Sequence, residues 1–198
     1  MLSVVIQAGG ESRRMGQDKA LMPFLGRPLI SRIVERLSPL ADELLVTTNQ
    51  PDGYRFLNLP LCEDLRPGRA ALGGLYTALR AAHQPFVAVV ACDMPFASAE
   101  LIAAGRDALI VGGHDVAIPL SEEGLEPLHA VYRKETCLPA VAAALEAGEW
   151  KLIAWFPKVN VRVIPPEETA RYDPHRLAFW NLNTPEEFAE AERLARSM

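Results

Sequence analysis

The chain begins with a short apolar run that leads directly into a glycine-rich turn and a cluster of cations. The β-branched run Ser3-Val-Val-Ile6 indicates a buried strand. The paired glycines Gly9 and Gly10 follow it, and three cations (Arg13, Arg14 and Lys19) lie within seven residues of one another. Glycine lets the backbone approach a ligand closely, and the cations favour negative charge. The segment therefore predicts a strand-to-helix turn that binds a nucleoside triphosphate.

Two common phosphate-binding loops do not fit this turn. A Walker loop requires Gly-x-x-x-x-Gly-Lys-Ser/Thr, whereas here five residues separate Gly10 from Gly16, and Gln17 follows. The dinucleotide pattern Gly-x-Gly-x-x-Gly is also absent. A plain turn with solvated arginines is the alternative interpretation, and the crowding of three cations favours the phosphate-binding one.

Apolar runs alternate with helical patterns along the first half of the chain. This order predicts an α/β fold with a mostly parallel sheet and right-handed crossovers. The less regular second half predicts a mixed sheet with a substrate-binding region, and the period-2 pattern of Val159–Ile164 predicts a strand near the sheet edge. The predicted strands are Leu2–Ile6, Glu43–Thr48, Leu59–Cys62, Phe86–Ala91, Asp115–Pro119, Glu126–Tyr132 and Val159–Ile164. The predicted helices are Leu29–Leu37, Leu72–Ala82, Ser98–Ala104, Leu138–Ala147 and Pro185–Ala195.

Polar residues follow four of the predicted strands. They are Gln7–Gly10, Thr47–Asn49, Glu63-Asp64 and Asp93. Ligands of open α/β sheets bind outside the carboxyl ends of the strands, so we expect these residues to converge at one edge. Asp93 is either the cap of a turn or a Mg²⁺ ligand, because Mg²⁺ takes carboxylate and phosphate oxygens together.

Composition narrows the class of protein. The length of 198 residues suits a single domain, with 49% hydrophobic and 23% charged residues. A net charge of −5 argues against a general nucleic-acid binder. No apolar run approaches the roughly 20 residues of a membrane span, and no signal peptide is evident. The three scattered cysteines fit reduced thiols, so we expect a cytoplasmic protein without membrane or nucleic-acid partners.

Four segments together resemble the molybdenum cofactor guanylyltransferases (molybdopterin-guanine dinucleotide biosynthesis protein A). The first, Ala8-Gly-Gly-Glu-Ser-Arg-Arg-Met-Gly-Gln-Asp-Lys-Ala20, is similar to the family signature Leu-Ala-Gly-Gly-x-Ser-x-Arg-Met-Gly-x-Asp-Lys. The others are Glu63-Asp64 with Ala71-Leu-Gly-Gly-Leu75, Cys92-Asp-Met-Pro-Phe96, and Asn181-Leu-Asn-Thr-Pro-Glu-Glu187. The resemblance spans nearly the whole chain in the right order. It implies a Rossmann-like three-layer α/β/α nucleotidyltransferase fold over residues 1–198, with the nucleotide on the N-terminal half and the pterin on the C-terminal half.

The resemblance also implies a reaction and a role for individual residues. GMP would pass from GTP to the terminal phosphate of Mo-molybdopterin, with release of pyrophosphate. Arg14, Lys19 and Asp93 would be catalytic, with Asp93 binding Mg²⁺. The nucleotide would contact Gln7, Ala8, Gly9, Gly10, Lys19, Thr47, Asp64 and Asp93, and the pterin would contact Asn181 and Asn183. Molybdoenzyme apoproteins or other cofactor-biosynthesis proteins are the further partners it implies.

Three positions depart from the family pattern. Gln7 replaces the usual Leu, Ala70-Ala71 lacks the Gly-Pro of Gly-Pro-Leu-Ala-Gly, and Thr47 replaces an Asn. Three other functions remain open on the sequence alone: a cytidylyltransferase for the same pterin, a sugar-phosphate nucleotidyltransferase, and a nucleotide-binding regulator without turnover. The glycine pair Gly9-Gly10 argues against the cytidylyl relatives, which resemble Leu-Ala-Ala-Gly. Lys19 and Asp93 argue against loss of turnover.

Overall fold

The computed structural model describes residues 1–8 and 18–198. Its main sheet has seven strands in the order β5-β4-β1-β6-β8-β7-β9, and β2 and β3 form a separate hairpin. The strands are β1 (Leu2–Gln7), β2 (Pro23–Phe24), β3 (Arg27–Pro28), β4 (Glu43–Thr47), β5 (Leu61–Cys62), β6 (Phe86–Ala91), β7 (Val116–Pro119), β8 (His129–Arg133) and β9 (Val161–Ile164). The helices are α1 (Leu29–Leu37), α2 (Ala70–Ala81), α3 (Ala99–Gly112), α4 (Lys134–Glu146), α5 (Pro166–Thr169) and α6 (Pro185–Ser197).

The strands β5, β4, β1 and β6 are parallel neighbours. β8 runs antiparallel to both β6 and β7, and β7 pairs in parallel with the edge strand β9. The predicted α/β fold with a mostly parallel mixed sheet is therefore confirmed, as is the edge position of the last strand. Because the first four strands are parallel, their carboxyl ends meet at one edge, where the polar strand ends were predicted to converge.

Helices cover both faces of the sheet. On one face Val4 and Ile6 of β1 pack in a core with residues of α1 and α3, and on the other face Val5 packs with residues of α2 and α4. Successive side chains of a strand point to opposite faces, so a strand buried on both faces contains a continuous apolar run such as Val4-Val5-Ile6 of β1. This is the three-layer α/β/α architecture.

Two helices extend four or more residues beyond one of their predicted ends. α4 begins at Lys134, whereas the sequence pattern predicts a start at Leu138. The pattern misses the first turn because Pro139, a residue that usually interrupts helices, lies inside this one. α3 continues to Gly112 and ends at Gly113, whose φ of 65° is the left-handed conformation common at helix ends. Among the described residues, no helix is long and apolar enough to cross a membrane.

Candidate functional site

A cleft of about 1440 Å³ lies at the carboxyl ends of β1, β4, β5 and β6. Each of the four predicted strand ends contributes to it, through Gln7-Ala8, Thr47–Asn49, Asp64 and Asp93. The first turns of α2 and the segment that leads into α6 complete its walls. Its lining also includes Asp18, Lys19, Gln50, Pro67, Gly68, Ala70, Ala71, Gly74, Thr77, Cys92, Leu128, Asn183, Thr184, Pro185 and Glu186.

Lys19 and Asp93 form the charged centre of the cleft. The Nζ atom of Lys19 lies 2.9 Å from Asp93 Oδ2, and each side chain is 18% exposed. Nζ also donates to the carbonyl oxygen of Leu182 at 3.2 Å and to Oδ1 of Asn183 at 2.9 Å. Residues far apart in the sequence are therefore brought together around one ammonium group.

Asp18 and Tyr54 support the short helix that carries Lys19. Neither was identified as a site residue from the sequence. Asp18 caps the short 3₁₀ helix Lys19–Leu21 by accepting a hydrogen bond from the Ala20 N–H at 3.1 Å. Its other carboxylate oxygen accepts from the hydroxyl of Tyr54, a fully buried residue, at 2.5 Å. Burial, reinforced by the hydrogen bond to Asp18, raises the pKa of Tyr54 above its usual range, so the hydroxyl stays a donor.

Backbone hydrogen bonds connect the strand ends that form the floor of the cleft, at Gln7, Ala8 and Thr47. The Ala8 N–H donates to the Thr47 carbonyl at 2.8 Å, and the Gln7 carbonyl accepts from the Cys92 N–H at 3.1 Å. Thr47 is buried, and it lies level with Gln7 in the pairing of β1 with β4. These bonds fix the three strand ends in register beneath any ligand.

Asp64 orders the loop between β5 and α2. Its Oδ1 accepts from the Arg66 N–H at 2.9 Å and from the Thr77 hydroxyl at 2.8 Å. Its own N–H donates to Oδ1 of Asn49 at 3.2 Å, so an Asn side chain does follow β4, two residues beyond the predicted Thr47. The carboxylate thus shapes the cleft wall that leads to Ala70.

The two asparagines assigned to the pterin occupy different positions. Asn183 lies in the cleft, where it accepts from Lys19 and donates to the Asn181 carbonyl at 3.0 Å. The Asn181 side chain instead donates to the Phe179 carbonyl at 3.1 Å and does not line the cleft. Gly9, Gly10 and Arg14 lie outside the described residues.

Cys92 also lines the cleft, but its thiol is unsuited to nucleophilic attack. Burial, together with the nearby carboxylates of Asp93 and Asp18, raises the pKa of this thiol far above its usual range. A protonated thiol is a poor nucleophile. Among the described residues, the cleft therefore offers charge and positioning, and Cys92 does not serve as a nucleophile.

The described side chains of the cleft suit a divalent cation that takes some of its ligands from the substrate and from water. Within residues 1–8 and 18–198, no three His, Cys, Asp or Glu side chains converge on a common point. A complete protein cage is therefore not formed by these residues. Mg²⁺ is commonly held by one or two carboxylates together with substrate phosphates and waters, so the single carboxylate of Asp93 suits it.

Comparisons with known proteins point to one family. The MobA-like NTP transferase domain family matches residues 4–161. A probable molybdenum cofactor guanylyltransferase of Carboxydothermus hydrogenoformans is 37% identical over 94% of this chain and 93% of its own length. The molybdenum cofactor guanylyltransferase of Desulfosudis oleivorans is 36% identical over 95% of this chain and 93% of its own.

A solved structure extends the similarity to the whole fold. The crystal structure of molybdopterin-guanine dinucleotide biosynthesis protein A from Archaeoglobus fulgidus superposes with a TM-score of 0.84 at 27% sequence identity. The match covers 99% of this chain and 100% of that one. The two proteins therefore share the layered fold that places the cleft of this chain at its strand ends.

Proposed function

We propose that this chain, which belongs to the MobA-like NTP transferase family, is a molybdenum cofactor guanylyltransferase. It transfers GMP from GTP to the terminal phosphate of Mo-molybdopterin and releases pyrophosphate. Relatives that carry this name are similar along nearly the full length of the chain, which supports the same reaction here. The enzyme is thus a GTP-dependent nucleotidyltransferase.

The ion pair between Lys19 and Asp93 is the observation that most strongly supports the proposal. A partly buried ammonium group lies 2.9 Å from a carboxylate, in a cleft at the carboxyl ends of parallel strands. In such a setting the ammonium group supports phosphate binding, and the carboxylate supports a cation that phosphates also ligate. Nucleotidyl transfer requires both.

The chemistry follows from charge and position. The terminal phosphate of molybdopterin attacks the α-phosphorus of GTP in line, and the bond to pyrophosphate breaks. A phosphate monoester is already anionic near neutral pH, so the attack needs no strong general base. Lys19 and Arg14 neutralise the charge that develops on the phosphates, and the residues at the strand ends hold the nucleotide in place.

Asp93 is the residue that would hold Mg²⁺. When bound, the cation would neutralise phosphate charge and favour departure of pyrophosphate. Lys19 would then exchange one of its protein acceptors for a phosphate oxygen and keep its contact with Asp93, because its ammonium group has three donors. The family membership supports a metal-assisted transfer, and Mg²⁺ is our choice among divalent cations.

The remaining assignments divide the cleft between two substrates. We infer a single domain over residues 1–198. We assign Gln7, Ala8, Gly9, Gly10, Thr47 and Asp64 to the nucleotide and Asn183 to the pterin. Asn181, whose side chain does not line the cleft, would act on the pterin side by accepting a hydrogen bond from Asn183 at its carbonyl. The contact of Asn183 with Lys19 supports a pterin phosphate close to the reacting phosphorus. We also infer a cytoplasmic enzyme that passes its product to molybdoenzyme apoproteins or other biosynthetic proteins.

A screen of nucleotides tests the proposal. Purified protein, Mg²⁺ and Mo-molybdopterin are mixed with GTP, CTP, ATP or UTP, and the release of pyrophosphate is measured for each. We expect release with GTP at least about tenfold faster, in kcat/KM, than with any other nucleotide. Preference for CTP would favour a cytidylyltransferase. Release with GTP and a sugar phosphate but not with molybdopterin would favour a sugar-phosphate enzyme.

A further inference from the structure

The side chain of Gln7 lies at the end of β1, against the first turns of α2. A Cβ atom at position 74 would come within 3.0 Å of Gln7 Nε2 and 3.5 Å of Oε1, so Gly74 leaves the room that this carboxamide occupies. Both residues line the cleft. Gln7 therefore presents a polar side chain at a position where the family signature has an apolar one.

The backbone of this strand end is already engaged. The Gln7 carbonyl accepts from Cys92, and the next N–H along the chain, that of Ala8, donates to Thr47. The carboxamide is consequently the part of Gln7 that is left for a ligand.

The Nε2 atom of Gln7 is buried and has no hydrogen-bond partner among the described residues. Buried polar atoms almost always have a partner, and an amide donor without one costs free energy until an acceptor arrives. The residue as a whole is only partly buried and lines the cleft, so a ligand there can reach its carboxamide, and a half-turn about the terminal torsion exchanges Nε2 with Oε1. An unpaired group beside a cleft is a reason to expect a ligand that pairs with it.

The adjoining wall suits the flat face of a base. Gly74, which lies against the Gln7 carboxamide, lines the cleft together with Pro67, Ala70 and Ala71, and these residues present small, mostly apolar surfaces. Ligand sites typically combine such apolar walls with a few polar groups that fix orientation. Gln7 supplies a polar group where this wall meets the end of β1.

We propose that the carboxamide of Gln7 recognises the O6 and N1 edge of guanine and so adds to the selection of guanine over other bases. Nε2 donates to O6, and the N1–H of guanine donates to Oε1. The proposal rests on the proposed function, and it assigns to the side chain of this protein a role that an apolar residue at position 7 cannot perform. A carboxamide offers one donor and one acceptor side by side, which is the pattern this edge requires.

The test combines a substitution with altered bases. Gln7→Leu is compared with the native protein on GTP, on ITP, which lacks only the 2-amino group, and on 2-aminopurine riboside triphosphate, which lacks O6 and the N1 proton. Gln84→Leu is the matched control, because Gln84 is partly buried, as Gln7 is, but does not line the cleft. Calorimetric binding of each nucleotide is measured beside kcat/KM, so that the contact is tested whether or not molybdopterin is the acceptor.

We expect Gln7→Leu to lower the affinity for GTP and ITP by about tenfold, and to leave that for the 2-aminopurine nucleotide nearly unchanged. The preference for GTP over this analogue should therefore fall by about tenfold in Gln7→Leu and stay unchanged in Gln84→Leu. The melting temperature of Gln7→Leu should equal or exceed that of the native protein, since a buried unpaired donor is removed.

Equal loss of affinity for all three nucleotides, or no loss for any, would overturn the role of Gln7. A native protein that binds GTP but releases no pyrophosphate with molybdopterin would instead count against the proposed function. Since the binding ratios are read independently of turnover, the two failures are distinguishable.

Discussion

Lys19 has three N–H donors, and the structure supplies an acceptor for each of them. They are the Asp93 carboxylate, the Leu182 carbonyl and the Asn183 side-chain oxygen. A lysine head group is a compact point charge on a flexible stem, and these contacts hold it in one position in the free protein. An incoming phosphate therefore meets a charge that is already placed, and ordering it costs little at the moment of binding.

This arrangement predicts how two substitutions of Lys19 change the activity of the enzyme. Lys19→Ala should reduce kcat/KM for nucleotidyl transfer on the order of 10²-fold or more, because transition-state charge loses its partner. Lys19→Arg should recover only part of the activity, since a planar guanidinium cannot reproduce the three-acceptor geometry. Steady-state pyrophosphate release measures both.

Lys158→Ala is the control for Lys19→Ala, because Lys158 is exposed and does not line the cleft. We expect it to behave like the native protein. If Lys19→Ala and Lys158→Ala had equally small effects, general surface charge would explain phosphate binding, and the assignment of Lys19 would be wrong.

Among the secondary-structure elements, those with strong periodicity were predictable and the short ones were not. Apolar runs and helical patterns predicted β1, β4, β6 and α1 to within one residue at either end. The 3₁₀ helices Lys19–Leu21 and Pro51–Leu57 have no such pattern, because helices of three and seven residues are too short for a repeat to be detected. They nevertheless carry Lys19 and Tyr54.

The candidate site was predictable to a similar extent. Its location at the strand ends followed from the parallel sheet, and Lys19 and Asp93 were picked out by their motifs. The pairings could not be derived from sequence. Asn183 lies 164 positions from Lys19, and Tyr54 lies 36 from Asp18, so only tertiary packing reveals these contacts.

The first residue of α2 shows how a departure from the family pattern is accommodated. The family motif has glycine where this chain has Ala70, and Ala70 keeps a φ of 49°, in the left-handed region. This conformation is unfavourable for a residue with a Cβ atom, at a cost of about 1–2 kcal/mol. The backbone shape is therefore set by the loop that Asp64 orders rather than by the residue at position 70.

Ala70→Gly should consequently stabilise the protein. We expect the free energy of unfolding to rise by about 0.5–1 kcal/mol, since relief of the strained φ outweighs the greater entropy of glycine in the unfolded chain. Ala71→Gly, one residue later on the exposed side of the helix, should instead destabilise by about 0.5–1 kcal/mol. Urea unfolding of both variants checks the opposite signs, and a loss of stability in both would show that Ala70 is not strained.

At the scale of the whole molecule, one buried histidine makes folding sensitive to acid. His129 lies in β8, the strand that runs against its neighbours, and is 1% exposed. Its Nε2 accepts a hydrogen bond from the Ser98 N–H at 3.0 Å, where the chain enters α3, so the ring must be neutral. Burial lowers its pKa from 6.5 to about 4.

The sign of the effect follows from proton uptake. Between pH 6.5 and about 4, the unfolded chain protonates this histidine whereas the folded protein does not. Stability that is fully present above pH 6.5 is therefore lost as the pH falls through this window. A shift of this size corresponds to roughly 3 kcal/mol of unfolding free energy over the whole window.

His129→Gln should remove this part of the acid sensitivity, because the amide oxygen can accept from Ser98 but does not titrate. Between pH 7 and pH 4.5 we expect the native protein to lose roughly 2–3 kcal/mol more than the variant in urea unfolding. The comparison concerns the change with pH, so a lower stability of the variant at pH 7 does not affect it. His175→Gln is the matched control, since His175 is exposed and its replacement should leave the native pH dependence intact. Parallel curves for the native protein and His129→Gln would show that His129 is not the group through which acid unfolds this fold.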